Sequence, residues 1–250
     1  MKWFLRVLKE EWQILKKTPA IFYKREIILT LLPAVLWYTA VLSRPYFIDL
    51  RCSKLPKTCN QSEVFLLDRF VLNLPYSEQA DRYSQWTQAT SGFLAFGLPL
   101  VWHANSLLLQ RVSTLTAFSF VGADFLIVAQ TSLWNGLSME GARIFFQRPR
   151  PFVYQNPFES GQSAAHYTSF WSGHTSFAAA ANTAAFITLL GRGASAAALS
   201  TTACAGILLT ILTGLFRVVS IRHFPSDVIV GMFAGILVSI VVAHIHRKRS

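Results

Sequence analysis

The apolar residues of this chain are gathered into long runs. Windows of about 20 residues, the length that crosses a bilayer, place spanning helices near 27–43, 89–109, 115–138, 174–191, 196–215 and 225–244. The first of these is short, and the third contains Asp124. The pattern predicts an all-α polytopic membrane protein, six transmembrane helices forming a bundle, with both termini on the same side. Residues 1–26 form a basic amphipathic segment, residues 27–244 the six-span domain with long outer loops at 44–88 and 148–172, and residues 245–250 a basic tail.

The polar stretches refine this outline. In WFLRVLKEEWQILKK (3–17) the apolar positions recur at helical intervals among lysines and glutamates, which predicts a helix lying on the inner membrane surface. The alternative is a solvated helix packed on the protein's own cytoplasmic loops. The segment does not have the layout of a cleavable signal peptide, since its basic region is long and no small-residue cleavage site follows. The loop 44–88 is punctuated by Pro45, Pro56 and Pro75 and includes EVFLLDRFVL (63–72), expected to form an interfacial helix that caps a site below it. Residues 152–171 are a second outer loop and a candidate substrate gate.

Composition narrows the class. A hydrophobic content of 52% with 14% charged residues argues against an ordinary soluble globule. The net charge of +11 does not indicate nucleic acid, because the cations flank apolar runs instead of lining a strip with interleaved aromatics. Lys2, Arg6, Lys9, Lys16, Lys17, Lys24 and Arg25 precede the first span, Arg247, Lys248 and Arg249 follow the last, and Arg111 and Arg192 fall in short turns. By the positive-inside rule these segments are cytoplasmic; the loop 44–88 holds six Lys or Arg, but long loops count for less. Cys52 and Cys59 fall in the outer loop, where they either close a small ring in an oxidising compartment or remain two thiols. Cys204 lies in an apolar span and is assigned to packing.

Three short stretches carry the chemistry: ARIFFQRPRP (142–151), FWSGHTSF (170–177) and FRVVSIRHFPSD (216–227). A tetrahedral anion is best held by converging guanidinium groups, which stay charged and present a fork to phosphate oxygens. Arg143 lies seven residues before Arg150, Arg217 six before His223, and His223 four before Asp227. With the N terminus inside, all three stretches fall on the outer face.

In this order and spacing the stretches resemble the signature of the phosphatidic acid phosphatase type 2 superfamily, which also includes vanadium haloperoxidases. The family pattern is KxxxxxxRP, PSGH and SRxxxxxHxxxD. Here Arg143 stands where lysine is usual, Trp171 where proline is usual and Phe216 where serine is usual. The register uses Arg150-Pro151, because Arg148-Pro149 would put Gly141 at the upstream basic position.

Chemistry and resemblance imply the same roles. Asp227 is expected to accept a hydrogen bond from one nitrogen of His223 and leave the other free as nucleophile. Ser172 and Gly173, at a helix start, offer amides to an anion, and His174 protonates the leaving oxygen and later activates water. Arg143, Arg150 and Arg217 neutralise phosphoryl charge. Neither a metal nor another cofactor is implied. Arg148 and Arg222 touch either substrate or headgroups, and His103, Asn105 and Asp124 are expected to bond helix to helix. His166 is assigned to the loop, and His244 and His246 to the basic tail.

The resemblance implies a lipid phosphate or diphosphate phosphatase at the outer, periplasmic leaflet of a bacterial inner membrane, working through a phosphohistidine. Undecaprenyl diphosphate, phosphatidylglycerophosphate, phosphatidic acid and lipid A phosphate are possible substrates. The alternative is a phosphotransferase passing phosphate from a polyprenyl diphosphate to a lipid such as lipid A. Oxidative chemistry on vanadate and a non-catalytic lipid-binding protein are further rivals. The expected partners are the lipid substrate and the bilayer.

Overall fold

A computed structural model describes residues 24–54, 59–109 and 113–246. The amphipathic segment expected at 3–17, Arg111 and the basic residues 247–249 lie outside the described residues. Six long helices run through the described chain: α1 (Lys24–Phe47), α2 (Glu78–Leu108), α3 (Thr114–Phe146), α4 (Gly173–Gly191), α5 (Ala196–Val219) and α6 (Pro225–Ile245). Each span expected from the sequence falls on one of them, the second running one residue past Leu108. Local chemistry sets their ends. Ser77, Ser113 and Ser195 cap α2, α3 and α5 by accepting from Ala80, Thr116 and Ala198 amides. Gln147 closes α3 in a left-handed conformation, φ 46°. Pro225 opens α6, where proline costs little because the first-turn amide has no helical partner.

The helices alternate in direction, so the three motifs meet at one end of an all-helical bundle. Four helices, α1, α3, α5 and α6, are long and apolar enough to cross a membrane; this is a membrane protein. Their outward faces expose Ile28, Leu31 and Val35 on α1, Ile207 and Ile211 on α5, and Phe233 and Leu237 on α6. The expected count of six differs at α2 and α4. The α2 helix carries Ser91, His103 and Asn105 among its apolar residues. The α4 helix has little lipid-facing surface to cover: it packs against α2, α3, α5 and α6 and is built largely of Ala, Ser, Thr and Asn. Small residues let helix backbones approach. An added Cβ on Gly235 of α6 would lie 2.9 Å from the Ala180 nitrogen, and one on Gly231 2.8 Å from the Ser172 carbonyl oxygen.

Charge pairs tie the opposite end. His103 Nε2 lies 2.7 Å from Asp124 Oδ2, and Arg192 Nη2 donates to Asp124 Oδ1 at 2.7 Å, joining α2, α3 and the end of α4 as expected for helix-to-helix bonding. His246, assigned from sequence to the basic tail, is instead bonded inward, with Nε2 2.9 Å from Glu26 Oε2, and Gln130 Nε2 donates to the same oxygen at 3.1 Å. The tail reading failed because the carboxylate that draws this imidazole in is 220 residues away in the chain.

At the motif end, the connection after α1 runs from 48 to 77, shorter than the 44–88 expected, because helices extend into both of its ends. Within it Leu66–Asn73 forms a 3-10 helix that buries Asp68, Val71 and Leu72 and exposes Leu66, Leu67 and Phe70. Cys52 and Cys59 are joined by a disulfide, Cα to Cα 5.5 Å. Tyr167 from the second connection donates to the Gly161 carbonyl and accepts from the Cys52 amide at 2.9 Å, so the two loops are stitched together. Cys204 is free and exposed on α5.

Candidate active site

The first motif ends α3. Arg143 sits in its last turn, buried, with its guanidinium against Gly173 of the second motif: a Cβ at that glycine would be 2.7 Å from Nη2. Glycine lets the cation lie across the start of α4 without being displaced. Arg150 occupies the N-cap position of a short helix, Pro151–Gln155, and its Nη2 donates to Thr168 Oγ1 at 3.2 Å. Arg217, in the last turn of α5, donates to Asp81 and to Ser84 Oγ, the latter at 3.2 Å. Ser172 is fully buried at the N-cap of α4; its amide donates to the Asp227 carbonyl at 3.1 Å and its hydroxyl lies 2.9 Å from Thr175 Oγ1. The amide expected to face an anion is thus already engaged. His174 follows in the first turn of α4, half-buried.

The third motif corrects the expected pairing. His223 Nδ1 lies 2.7 Å from the Ser169 carbonyl oxygen, whereas Asp227 Oδ2 is 3.8 Å from that nitrogen, too far for a hydrogen bond. A carbonyl can only accept, so Nδ1 carries the proton and Nε2 has the free lone pair. Asp227 instead accepts from Ser169 Oγ at 2.5 Å, the Phe224 amide at 3.0 Å and Arg148 Nη1 at 2.6 Å. It orients the ring through Ser169 rather than directly. The physical reason is that the carboxylate turns inward to cap the first turn of its own helix.

Arg148 is the hub beneath this arrangement. Its Nη2 donates to Asp68 Oδ2 at 2.8 Å, its Nη1 also reaches Ser226 Oγ at 2.8 Å, and the guanidinium lies 4.1 Å from the Phe224 ring centroid. Asp68 in turn accepts from the Ser226 amide at 3.0 Å and hydroxyl at 2.5 Å. Arg222 donates to Asp81 Oδ2 at 2.8 Å, sharing that carboxylate with Arg217. Both arginines that the sequence left between substrate and headgroup are spent on carboxylates.

Burial, and then the charges of Arg150, Arg217 and Arg143, hold the His223 imidazole well below its ordinary range, so the ring is neutral. Nε2 of His223, Nε of Arg143, Arg150 and Arg217, and the indole nitrogen of Trp171 are buried without a hydrogen-bond partner among the described residues. An unmatched buried donor is costly. Several cationic ones around a bare imidazole nitrogen suit a multivalent oxyanion. Among the described residues no three His, Cys, Asp or Glu side chains gather as metal ligands would.

The sequence model of the PAP2 superfamily matches residues 124–250. The chain belongs to the PAP2 superfamily. No curated protein and no solved structure matches it. PAP2 superfamily members include phosphatases, which agrees with a neutral imidazole among guanidinium groups whose Nε donors are unmatched.

The departures from the superfamily pattern each have a place here. Arg143 keeps the charge, Trp171 brings a ring N–H that proline lacks, and Phe216 packs against Tyr83, ring centroids 5.5 Å apart. Sequence reasoning missed Asp68, Asp81, Glu140 and Ser169. Asp68 had a readable signal, as the single acid in the amphipathic stretch 66–73. Asp81, Glu140 and Ser169 had none, because their partners lie far along the chain or, for Ser169, involve a backbone carbonyl. His166, assigned to the loop, lies there with Nδ1 2.6 Å from the Ser160 carbonyl oxygen.

Proposed function

We propose that this PAP2 protein is an integral-membrane phosphatase for lipid phosphates or diphosphates, with six helices in the bilayer and the motif end on the outer, periplasmic side of a bacterial inner membrane. The observation that carries the reading is the unpartnered, neutral His223 Nε2 among the unmatched Nε groups of Arg143, Arg150 and Arg217. The small residues and burial of α4 agree with a helix sheathed by its neighbours, and the exposed Leu66, Leu67 and Phe70 beside the site suit the headgroup region.

In this mechanism the Nε2 lone pair attacks phosphorus in line as the bond to the lipid oxygen breaks, and His174 gives its proton to that oxygen. The substrate's own negative charge favours the protonated form of His174 before the step. The arginines neutralise charge on the equatorial oxygens. Water then attacks the phosphohistidine and passes a proton to His174. The N–P bond breaks, the electron pair returns to Nε2, and inorganic phosphate leaves. Positioned acid-base help of this kind contributes roughly a hundred- to ten-thousand-fold in rate.

The test is release of inorganic phosphate by the purified protein in detergent from phosphatidic acid, phosphatidylglycerophosphate, undecaprenyl diphosphate and lipid A phosphate, with and without an acceptor lipid. Free phosphate from at least one lipid is expected. Label appearing on the acceptor would turn the reading to a phosphotransferase, and no turnover of any lipid would overturn it.

A further inference from the structure

A buried ion pair beside the site joins α1 to α3. Nε and Nη2 of Arg44 donate to Oε1 and Oε2 of Glu140, so one guanidinium occupies both oxygens of a fully buried carboxylate. Arg143 stands three residues further along α3, with Nη1 3.6 Å from Glu140 Oε2, longer than a hydrogen bond, and with its Nε unmatched. An acid and a base at this spacing ordinarily close on each other. Here the acid is already engaged from the neighbouring helix.

The position of Arg44 is fixed along the whole of α1. Trp134 Nε1 donates to the Leu29 carbonyl at 3.0 Å. The Trp37 ring lies across Gly136, where an added Cβ would come within 2.6 Å of Trp37 Cδ2. At the motif end Gln147 Nε2 donates to the Phe47 carbonyl and its Oε1 accepts from the Asp49 amide, both at 2.9 Å. All of α1 lies outside the residues matched by the superfamily model.

We infer that Arg44 is a positioning residue for phosphate binding: by occupying Glu140 it keeps the Arg143 guanidinium open to substrate oxygens. This rests on the reading of Arg143 as a phosphate ligand. Without Arg44, Glu140 would turn to Arg143, compete with phosphate for its donors, and leave an uncompensated negative charge to repel the incoming anion. With Arg44 in place the carboxylate is neutralised, and the field at the seat belongs to Arg143, Arg150 and Arg217.

The test uses the full-length protein in detergent, with inorganic phosphate as the probe, binding read by calorimetry and KM and kcat on phosphatidic acid. Arg44→Gln should weaken phosphate binding about tenfold or more and raise KM more than it lowers kcat. Arg44→Gln with Glu140→Gln should restore binding to within about threefold of the wild type. Glu140→Gln alone should bind phosphate at least as tightly as the wild type, whereas a merely structural ion pair predicts no such gain or a loss. Unchanged binding in Arg44→Gln, a double variant as weak as Arg44→Gln, or weakened binding in Glu140→Gln would overturn the inference. Should Arg44→Gln fail to fold, the other two variants decide. Arg143→Ala separates the two levels: if it loses phosphate binding while Arg44→Gln does not, only this inference falls, and if it binds like the wild type, the reading of Arg143 falls with it.

Discussion

The two ends of the bundle are both rich in buried charge, yet they satisfy it differently. At the end away from the motifs, Asp124 is held by His103 and Arg192, and Glu26 by Arg25, Gln130 and His246. The carboxylates there are matched and tie helices together. At the motif end the carboxylates are also matched, Asp68 and Asp227 by Arg148, Asp81 by Arg217 and Arg222, and Glu140 by Arg44. What differs is a surplus of donors, since Arg143, Arg150, Arg217 and Trp171 keep unmatched N–H groups around His223. Neutral groups such as Trp37 Nε1, Gln130 Oε1 and Asn135 Oδ1 are unmatched elsewhere, but they carry no charge. Buried charge by itself therefore marks helix-to-helix bonding, and cationic donors left without a partner mark a place for a ligand.

The largest effect that sharpens this contrast is expected from His223→Ala. Turnover should fall by about four orders of magnitude or more, as for other covalent nucleophiles, while inorganic phosphate still binds. Undiminished phosphate release would remove the nucleophile assignment. Next comes a matched pair of substitutions, one at each end. Arg148→Ala strands Asp68 and Asp227 and should cost about 3–5 kcal/mol, seen as a fall in Tm together with loss of turnover per folded molecule. Asp124→Asn should lower Tm by a comparable mechanism but leave kcat per folded molecule unchanged. Equal losses of kcat from both would erase the distinction between the ends.

A smaller effect tests the neutral imidazole. Because the folded value of His223 is depressed, the unfolded chain takes up a proton below about pH 6.5 that the folded chain does not. Stability from this group is complete above that pH and is lost as the pH falls towards the folded value. Thermal unfolding of the wild type should accordingly weaken faster on acidification than that of His223→Asn, and parallel curves would contradict it. The smallest change is expected for Arg143→Lys, which keeps the charge and loses the fork: about a tenfold fall in kcat/KM. Complete loss would mean that the seat depends on the guanidinium itself.

Much of this was legible beforehand for identifiable reasons. The long apolar runs specify helices because only a helix satisfies its own backbone in an apolar medium, and the parity of those runs brings 142–151, 170–177 and 216–227 to one end. Arg143, Arg217, His174 and His223 stand out as candidates because phosphate chemistry restricts residue type and spacing together. Arg148 was harder. Its neighbour Arg150 satisfied the spacing, and nothing local distinguishes an arginine that faces substrate from one that faces carboxylates 79 and 80 residues away. Arg44 and Glu140, 96 residues apart, belong to the same class.

From the sequence alone follow the helical class, the gathering of three motifs at one end, and the kind of chemistry their side chains can perform. The tertiary structure alone decided that the Ser169 carbonyl, not Asp227, accepts the hydrogen bond from His223 Nδ1, that Arg148 and Arg222 are spent, and that Arg143, Arg150 and Arg217 each keep an Nε donor free. The division has a physical cause. Apolar length and side-chain type are local properties of a chain, whereas a hydrogen bond is made or lost over a few tenths of an ångström between segments brought together only when the bundle packs.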